Sequence, residues 1–219
     1  MYGIRISTGK PIDWQFPKQE NTFVRQWETD GIRLSQWSLC KFEKDKLWLE
    51  DENNFLVVEG VLFNRSEIAA QWQQTDIAAW RGSFSCVRIH KKTHEIQVFN
   101  DQIGSHMLFW CQTDQGIYVS PDLFELAHFT GLQEMSTEFM RRILESGYGN
   151  DERTMVKGIR RVGAGQVLTI KNGKAEVTRY YNFDNKPVHL DENEALARTN
   201  ELFRQAVKRV IDKNEEYGL

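Results

Sequence analysis

Between Asn54 and Asn64 the chain reads Asn-Phe-Leu-Val-Val-Glu-Gly-Val-Leu-Phe-Asn, a run that is mostly apolar, rich in β-branched and aromatic residues, and barely alternating. That pattern predicts a strand buried on both faces, with a layer of structure above and below it. Glu59-Gly60 interrupts the run. A carboxylate inside such a strand is costly unless it is paired, and a glycine there lets another backbone or a ligand come close. Residues 65–72 follow directly and read as a helix. A buried strand with a polar break, feeding a helix, is where a site sits or once sat.

The rest of the chain surrounds this run with hairpins. Residues 1–7 alternate as a short strand, and 8–30 read mostly as loop, punctuated by Gly9, Pro11 and Pro17, with an extended stretch at Thr22-Phe23-Val24 as an option. Strands are predicted over 32–41, 46–50, 80–89, 95–100, 106–111 and 116–120. Ser120-Pro121 starts a helix that runs to about Phe129. Ser136 caps another, over 137–146, that Gly147 closes. Asn172-Gly173 is the strongest hairpin signal in the chain and joins strands at 167–170 and 176–181. Residues 182–194 read as an acidic linker, and 193–211 as an amphipathic helix with Leu196, Leu202, Phe203, Val207 and Val210 on one side. Hairpins interleaved with paired helices predict an α+β fold.

Composition narrows the function classes. With 219 residues, 7 Trp and 13 Phe, the chain supports a large core. A net charge of −3 without a basic stripe argues against nucleic-acid binding. No apolar run is long enough for a membrane span, and the first residues lack a signal-peptide core. Three widely spaced cysteines, Cys40, Cys86 and Cys111, fit a reduced, cytoplasmic protein. Each reads as a small core residue rather than a nucleophile. His90 and His94 flank a turn and read as solvated rather than as a metal pair, and His106 as a surface or packing residue. Gly163-Ala164-Gly165 reads as a turn, being too short for a phosphate loop.

The stretch from Gly147 through Thr154-Met155-Val156-Lys157-Gly158-Ile159-Arg160-Arg161-Val162 to Gly165, closed by Arg179-Tyr180-Tyr181, resembles asparagine synthetases. Further stretches agree in order. Glu59-Gly60-Val61-Leu62-Phe63-Asn64 stands where that family has Asn-Gly-Glu-Ile-Tyr-Asn, and Gly82-Ser83-Phe84-Ser85 is similar to its Gly-x-Phe-Ala strand. Asn100-Asp101-Gln102-Ile103-Gly104, followed by Leu108-Phe109-Trp110, resembles Arg-Asp-x-x-Gly and Leu-Tyr-Tyr. Val119-Ser120-Pro121-Asp122-Leu123 matches the position of Ala-Ser-Glu-x-Lys. The resemblance implies a class II glutamine amidotransferase domain over 1–181, with the N-terminal-nucleophile hydrolase fold. That fold is a four-layer αββα sandwich of two antiparallel sheets between helices, here with an additional C-terminal helix. Residues 182–219 then correspond to a linker and the first helix and strand of a synthetase domain, with Tyr217-Gly218-Leu219 entering that strand. The family's Ser-Gly-Gly-x-Asp-Ser loop would follow. ATP and Mg²⁺ are expected there, and no cofactor in this chain.

The resemblance also implies that the glutaminase is degenerate. The family uses a cysteine at position 2, whose thiolate attacks the amide after Met1 is removed. Position 2 here is Tyr2, a phenol with an ordinary pKa of about 10, too bulky for the cysteine's place. It is also expected to block removal of Met1. Glu59 replaces the oxyanion-hole asparagine, Gly60 remains, Val61 replaces the motif's glutamate, and Arg81 reverses the charge of the acidic residue before the Gly-x-Phe strand. The family's Arg-Gly-Pro-Asp loop is missing before residue 50. Asp101 and Gly104 are expected to brace the vacated pocket, and Glu59 and Arg81 to pair across it. The expected partner is a synthetase domain or separate subunit, with a homodimer as a further option. The leading expectation is a non-hydrolytic scaffold or substrate-docking domain, similar in this respect to β-lactam synthetases and lasso-peptide cyclases. The alternatives are a working glutamine-hydrolysing asparagine synthetase and a stand-alone small-ligand module.

Overall fold

A computed structural model of the chain describes residues 2–40, 46–149 and 151–214, the side chains of 212–214 excepted. It divides into two compact units, Met1–Tyr181 and Asn182–Leu219.

The first unit is built on two six-stranded antiparallel sheets. One has the order β10-β8-β9-β1-β3-β2, and the other β12-β11-β7-β6-β5-β4. The first combines β1 (Gly3–Thr8), β2 (Thr22–Thr29), β3 (Ile32–Leu39), β8 (Phe109–Thr113), β9 (Gly116–Ser120) and β10 (Ile159–Arg161). The second combines β4 (Trp48–Glu50), β5 (Asn54–Leu62), β6 (Gly82–His90), β7 (Glu95–Asn100), β11 (Gln166–Lys171) and β12 (Lys174–Arg179). Between the sheets Ile4, Ile6 and Leu34 interlock with Phe55, Val57, Val87 and Val98. Outside the second sheet, Leu56, Val58 and Phe84 pack with Trp80 and with Ile68 of α1 (Arg65–Gln71). Outside the first, Cys111 and Tyr118 pack with Trp14 and with Leu126 and Ala127 of α2 (Leu123–Thr130). Helix α3 (Thr137–Ser146) follows, capped by the Ser136 hydroxyl on the Phe139 N–H and closed by left-handed Gly147. The arrangement is helix, sheet, sheet, helix.

The long apolar run becomes β5, and alternation along it explains its composition. Phe55 and Val57 face the inter-sheet core while Leu56 and Val58 face α1, and all four are fully buried. Burial of each such side chain contributes about 1.5–3 kcal/mol. Asn172 and Gly173 both take positive φ and turn β11 into β12. One expectation fails. Residues 8–30, read mostly as loop, contain the eight-residue β2, paired along its whole length with β3. It is an edge strand whose polar residues alternate outward, so it lacks the hydrophobic signal of a buried strand. β3 ends at Leu39, and residue 41 of the expected strand lies outside the described residues.

The second unit contains α4 (Glu192–Asn214), preceded by a segment without regular structure. Asp191 caps its start by accepting the Glu194 N–H. Leu196, Leu202, Phe203, Val207, Val210 and Ile211 are exposed on it. The strand expected at Tyr217–Leu219 lies outside the described residues. Among those described, no helix is long and apolar enough to cross a membrane.

Candidate active site

The polar break in β5 lies where its partner strand comes closest. Glu59 is registered with Ser85, Gly60 with Phe84 and Val61 with Ser83. Gly60 has φ +107°, and a Cβ on it would stand 2.3 Å from the Ser83 carbonyl oxygen and 2.9 Å from Nε2 of His106. Only glycine fits there. His106, expected to be a surface or packing residue, brings its ring against this glycine. The signal that could have singled it out is its position two residues past the Asp-x-x-Gly turn. Burial pushes the His106 imidazole below its ordinary pKa, against the upward pull of the Glu59 and Asp101 carboxylates and of its bond to the Ser83 backbone.

Glu59 continues the inward-facing series of Phe55 and Val57, so its carboxylate enters the space between the sheets. It is met there from β3. Ser38 Oγ donates to Oε1 at 2.7 Å and Gln36 Nε2 to Oε2 at 2.8 Å. Lys46 Nζ stands 3.2 Å from Oε1. The Leu47 carbonyl accepts the Val58 N–H, which fixes Lys46 beside the end of β5. All four side chains are buried. The carboxylate is therefore met by a buried cation and by two hydrogen-bond donors of the protein itself.

The expected ion pair between Glu59 and Arg81 does not form. Arg81 lies just beyond the end of β6, at the rim, where its N–H donates to Asn64 Oδ1 and its guanidinium to the carbonyls of Ala78 and Trp80. The β5–β6 register separates the two: one side chain turns inward from mid-strand and the other leaves at the strand's end. Lys46 takes the expected arginine's role.

Tyr2 precedes β1. Its ring packs against Trp37 at 4.6 Å and its hydroxyl donates to Gln19 Oε1 at 2.9 Å. Met1 lies outside the described residues, and with it the expectation that it is retained. All three cysteines are free thiols. Cys86 and Cys111 are buried, burial holding the first thiol well above its ordinary pKa and raising the second to about 11. Cys40 is exposed just after β3.

Asp101 is buried behind the pocket. Its carboxylate accepts the N–H groups of Phe84, Ile103 and Ser105 and, at very short range, the Ser105 hydroxyl. The Gly104 N–H returns to the Asp101 carbonyl, and Gly104 packs against Ala164. Ser105 Oγ is 2.7 Å from Ser83 Oγ. Among the described residues no histidine nitrogen bonds a serine or cysteine side chain, so no activated nucleophile of that kind is assembled. Nor is any group of three or more His, Cys, Asp or Glu side chains arranged there to hold a metal ion.

Solved structures similar to this chain include a glutamine phosphoribosylpyrophosphate amidotransferase from B. subtilis complexed with ADP and GMP (12% identity, TM-score 0.44, covering 69% of this chain and 35% of that one). Another is described as the allosteric regulatory enzyme of purine biosynthesis (13% identity, TM-score 0.44, covering 71% of this chain and 36% of that one). The matched region thus spans about a third of either structure. None of the curated proteins compared matches the chain. The family model described as glutamine amidotransferase domain matches residues 67–181, more than half of the sequence. The chain belongs to the glutamine amidotransferase domain family.

Proposed function

We propose that this chain is a non-hydrolytic amidotransferase-like domain of an asparagine-synthetase-like, ATP-dependent amide-forming protein, in which it acts as a scaffold or substrate-docking domain. The observation that carries this reading is the buried Glu59–Lys46 pair beside Gly60. A tetrahedral intermediate needs hydrogen-bond donors around its developing negative charge, and loss of one such donor costs about 10²–10³ in rate. Glu59 brings an anion instead, and its own donors are spent on it. Position 2 holds a phenol committed to Gln19. The engagement of Glu59 by Lys46, Ser38 and Gln36 also counts against a stand-alone module that holds a small ligand through this carboxylate.

The remaining parts of the reading concern the whole protein. ATP and Mg²⁺ would bind in a synthetase domain, and the amine would come from free ammonia or from the substrate itself. The exposed apolar side of α4, with Leu202, Phe203 and Val210, would be covered by that domain. The purified chain, incubated with glutamine, is expected to release no ammonia above a buffer control. Release that saturates with glutamine and disappears on substitution of Gly60 would overturn the proposal.

A further inference from the structure

We infer that an open, arginine-lined cleft between β10 of the first sheet and the β11–β12 hairpin of the second, apart from the Glu59 site, is a binding site for a phosphoryl-bearing small molecule. The cleft has a volume of about 740 Å³, within the range of small-molecule sites. Four arginines line it, Arg153, Arg160, Arg161 and Arg179, against two acids, Asp151 and Glu152.

The arginines fall into two classes. Arg153 is paired with Asp151 and Glu138, and Arg160 stands 3.5 Å from Glu152 and lies over the Trp110 ring. Arg161 and Arg179 meet no carboxylate among the described residues. Each guanidinium instead donates to one backbone carbonyl at 3.2 Å, Arg161 to Asp151 and Arg179 to Ala164. Such a bond holds a guanidinium in position without neutralising it and leaves further N–H donors for a ligand. Two held forks in one concavity suit an oxyanion of more than one charge, which they bind in bidentate fashion.

The floor beneath them is fixed by the chain. Gly163 N–H donates to Gln166 Oε1 at 2.8 Å. The Gly165 carbonyl accepts the N–H groups of both Tyr180 and Tyr181. Gly165 has φ +64°, and a Cβ there would stand 2.6 Å from the Tyr181 carbonyl oxygen. The turn that carries Ala164 is thereby pinned to the strand that carries Arg179. Little ordering remains to be done when a ligand arrives, which favours binding.

The inference is independent of the reading of the vacated pocket and is tested on the whole chain by calorimetric titration. Inorganic pyrophosphate is expected to bind saturably, one per chain. The double variant Arg161→Gln/Arg179→Gln, with its melting temperature unchanged, is expected to bind at least about tenfold more weakly, since each charged hydrogen bond contributes on that scale. ADP binding tighter than pyrophosphate would point to a nucleotide as the source of the phosphoryl group; equal affinities would point to a free inorganic one. Absence of saturable binding, unchanged binding by the double variant, or equally tight binding of citrate would each overturn the proposal. Should the double variant fail to fold, Arg161→Lys and Arg179→Lys keep the charge and lose the fork. A drop in affinity in either then supports the site, and no change in both overturns it.

Discussion

The Glu59 carboxylate and the Lys46 amine lie 3.2 Å apart in a place where their side chains are only 8% and 3% exposed. Buried pairs of this kind contribute little net stability, but removing one member strands the other. Glu59→Ala would remove the carboxylate that Lys46 meets and the acceptor of the Ser38 hydroxyl, while Gln36 keeps its bond to the Val58 carbonyl. It is expected to lower stability by about 3–5 kcal/mol, read as a fall in the denaturation midpoint. Replacing both residues together, Glu59→Leu with Lys46→Met, is expected to recover most of that loss.

A second pair holds α2 to the first sheet. Arg5, almost fully buried on β1, is bound through Nε to both carboxylate oxygens of Glu125, at 3.0 and 2.8 Å. Ser120 Oγ donates to the same carboxylate. Glu125→Ala should cost about 3–5 kcal/mol by the same reasoning, and Glu125→Gln clearly less. Chemical denaturation of the two variants measures the difference.

His106 gives the protein a definite response to acid. Burial lowers its pKa in the folded state, so between that value and the ordinary one, about 6.5, the unfolded chain holds more protons. Its contribution to stability is therefore complete above about pH 6.5 and is lost as pH falls through that window towards the lowered pKa. Glu59, Asp101 and Lys46 are the charges that face it. Urea denaturation at pH 7.5 and pH 5.5 should show a smaller loss in His106→Gln than in the parent. An imidazole titration at or above the ordinary value would contradict this account.

The cysteines should react unequally. Cys40 is exposed, whereas Cys86 and Cys111 are buried with raised pKa values. The thiolate is the reactive form. A colorimetric thiol reagent should therefore titrate one group in the native protein and all 3 in denaturant.

Much of the fold was legible because local signals and tertiary packing agree. The β5 run, the Asn172-Gly173 turn and the Ser136–Gly147 caps each carry their cause within a few residues. Of β2 only the extended stretch at residues 22–24 was legible, because an edge strand whose exposed side carries Val24, Gln26 and Glu28 shows neither the apolar run nor the turn spacing of a hairpin. At the candidate site, Tyr2, Glu59, Val61 and Arg81 stood out by residue type against the resembled motifs, but their partners were not visible. Charge alone suggested that Glu59 meets Arg81. Lys46, thirteen residues away in the sequence, is brought to it by the pairing of β4 with β5 and by the bond from Val58 to Leu47. The closeness of His106 to Gly60 is likewise a product of strand register, which residue type does not encode.

The way the carboxylate on β5 is answered from β3 and from the approach to β4 makes the present state hard to leave by single steps. Exchanging Glu59 alone would take from Lys46 the carboxylate it meets in the interior, and exchanging Lys46 alone would take from Glu59 its cation. Either single exchange passes through a less stable protein, so the two positions are expected to change together rather than one at a time.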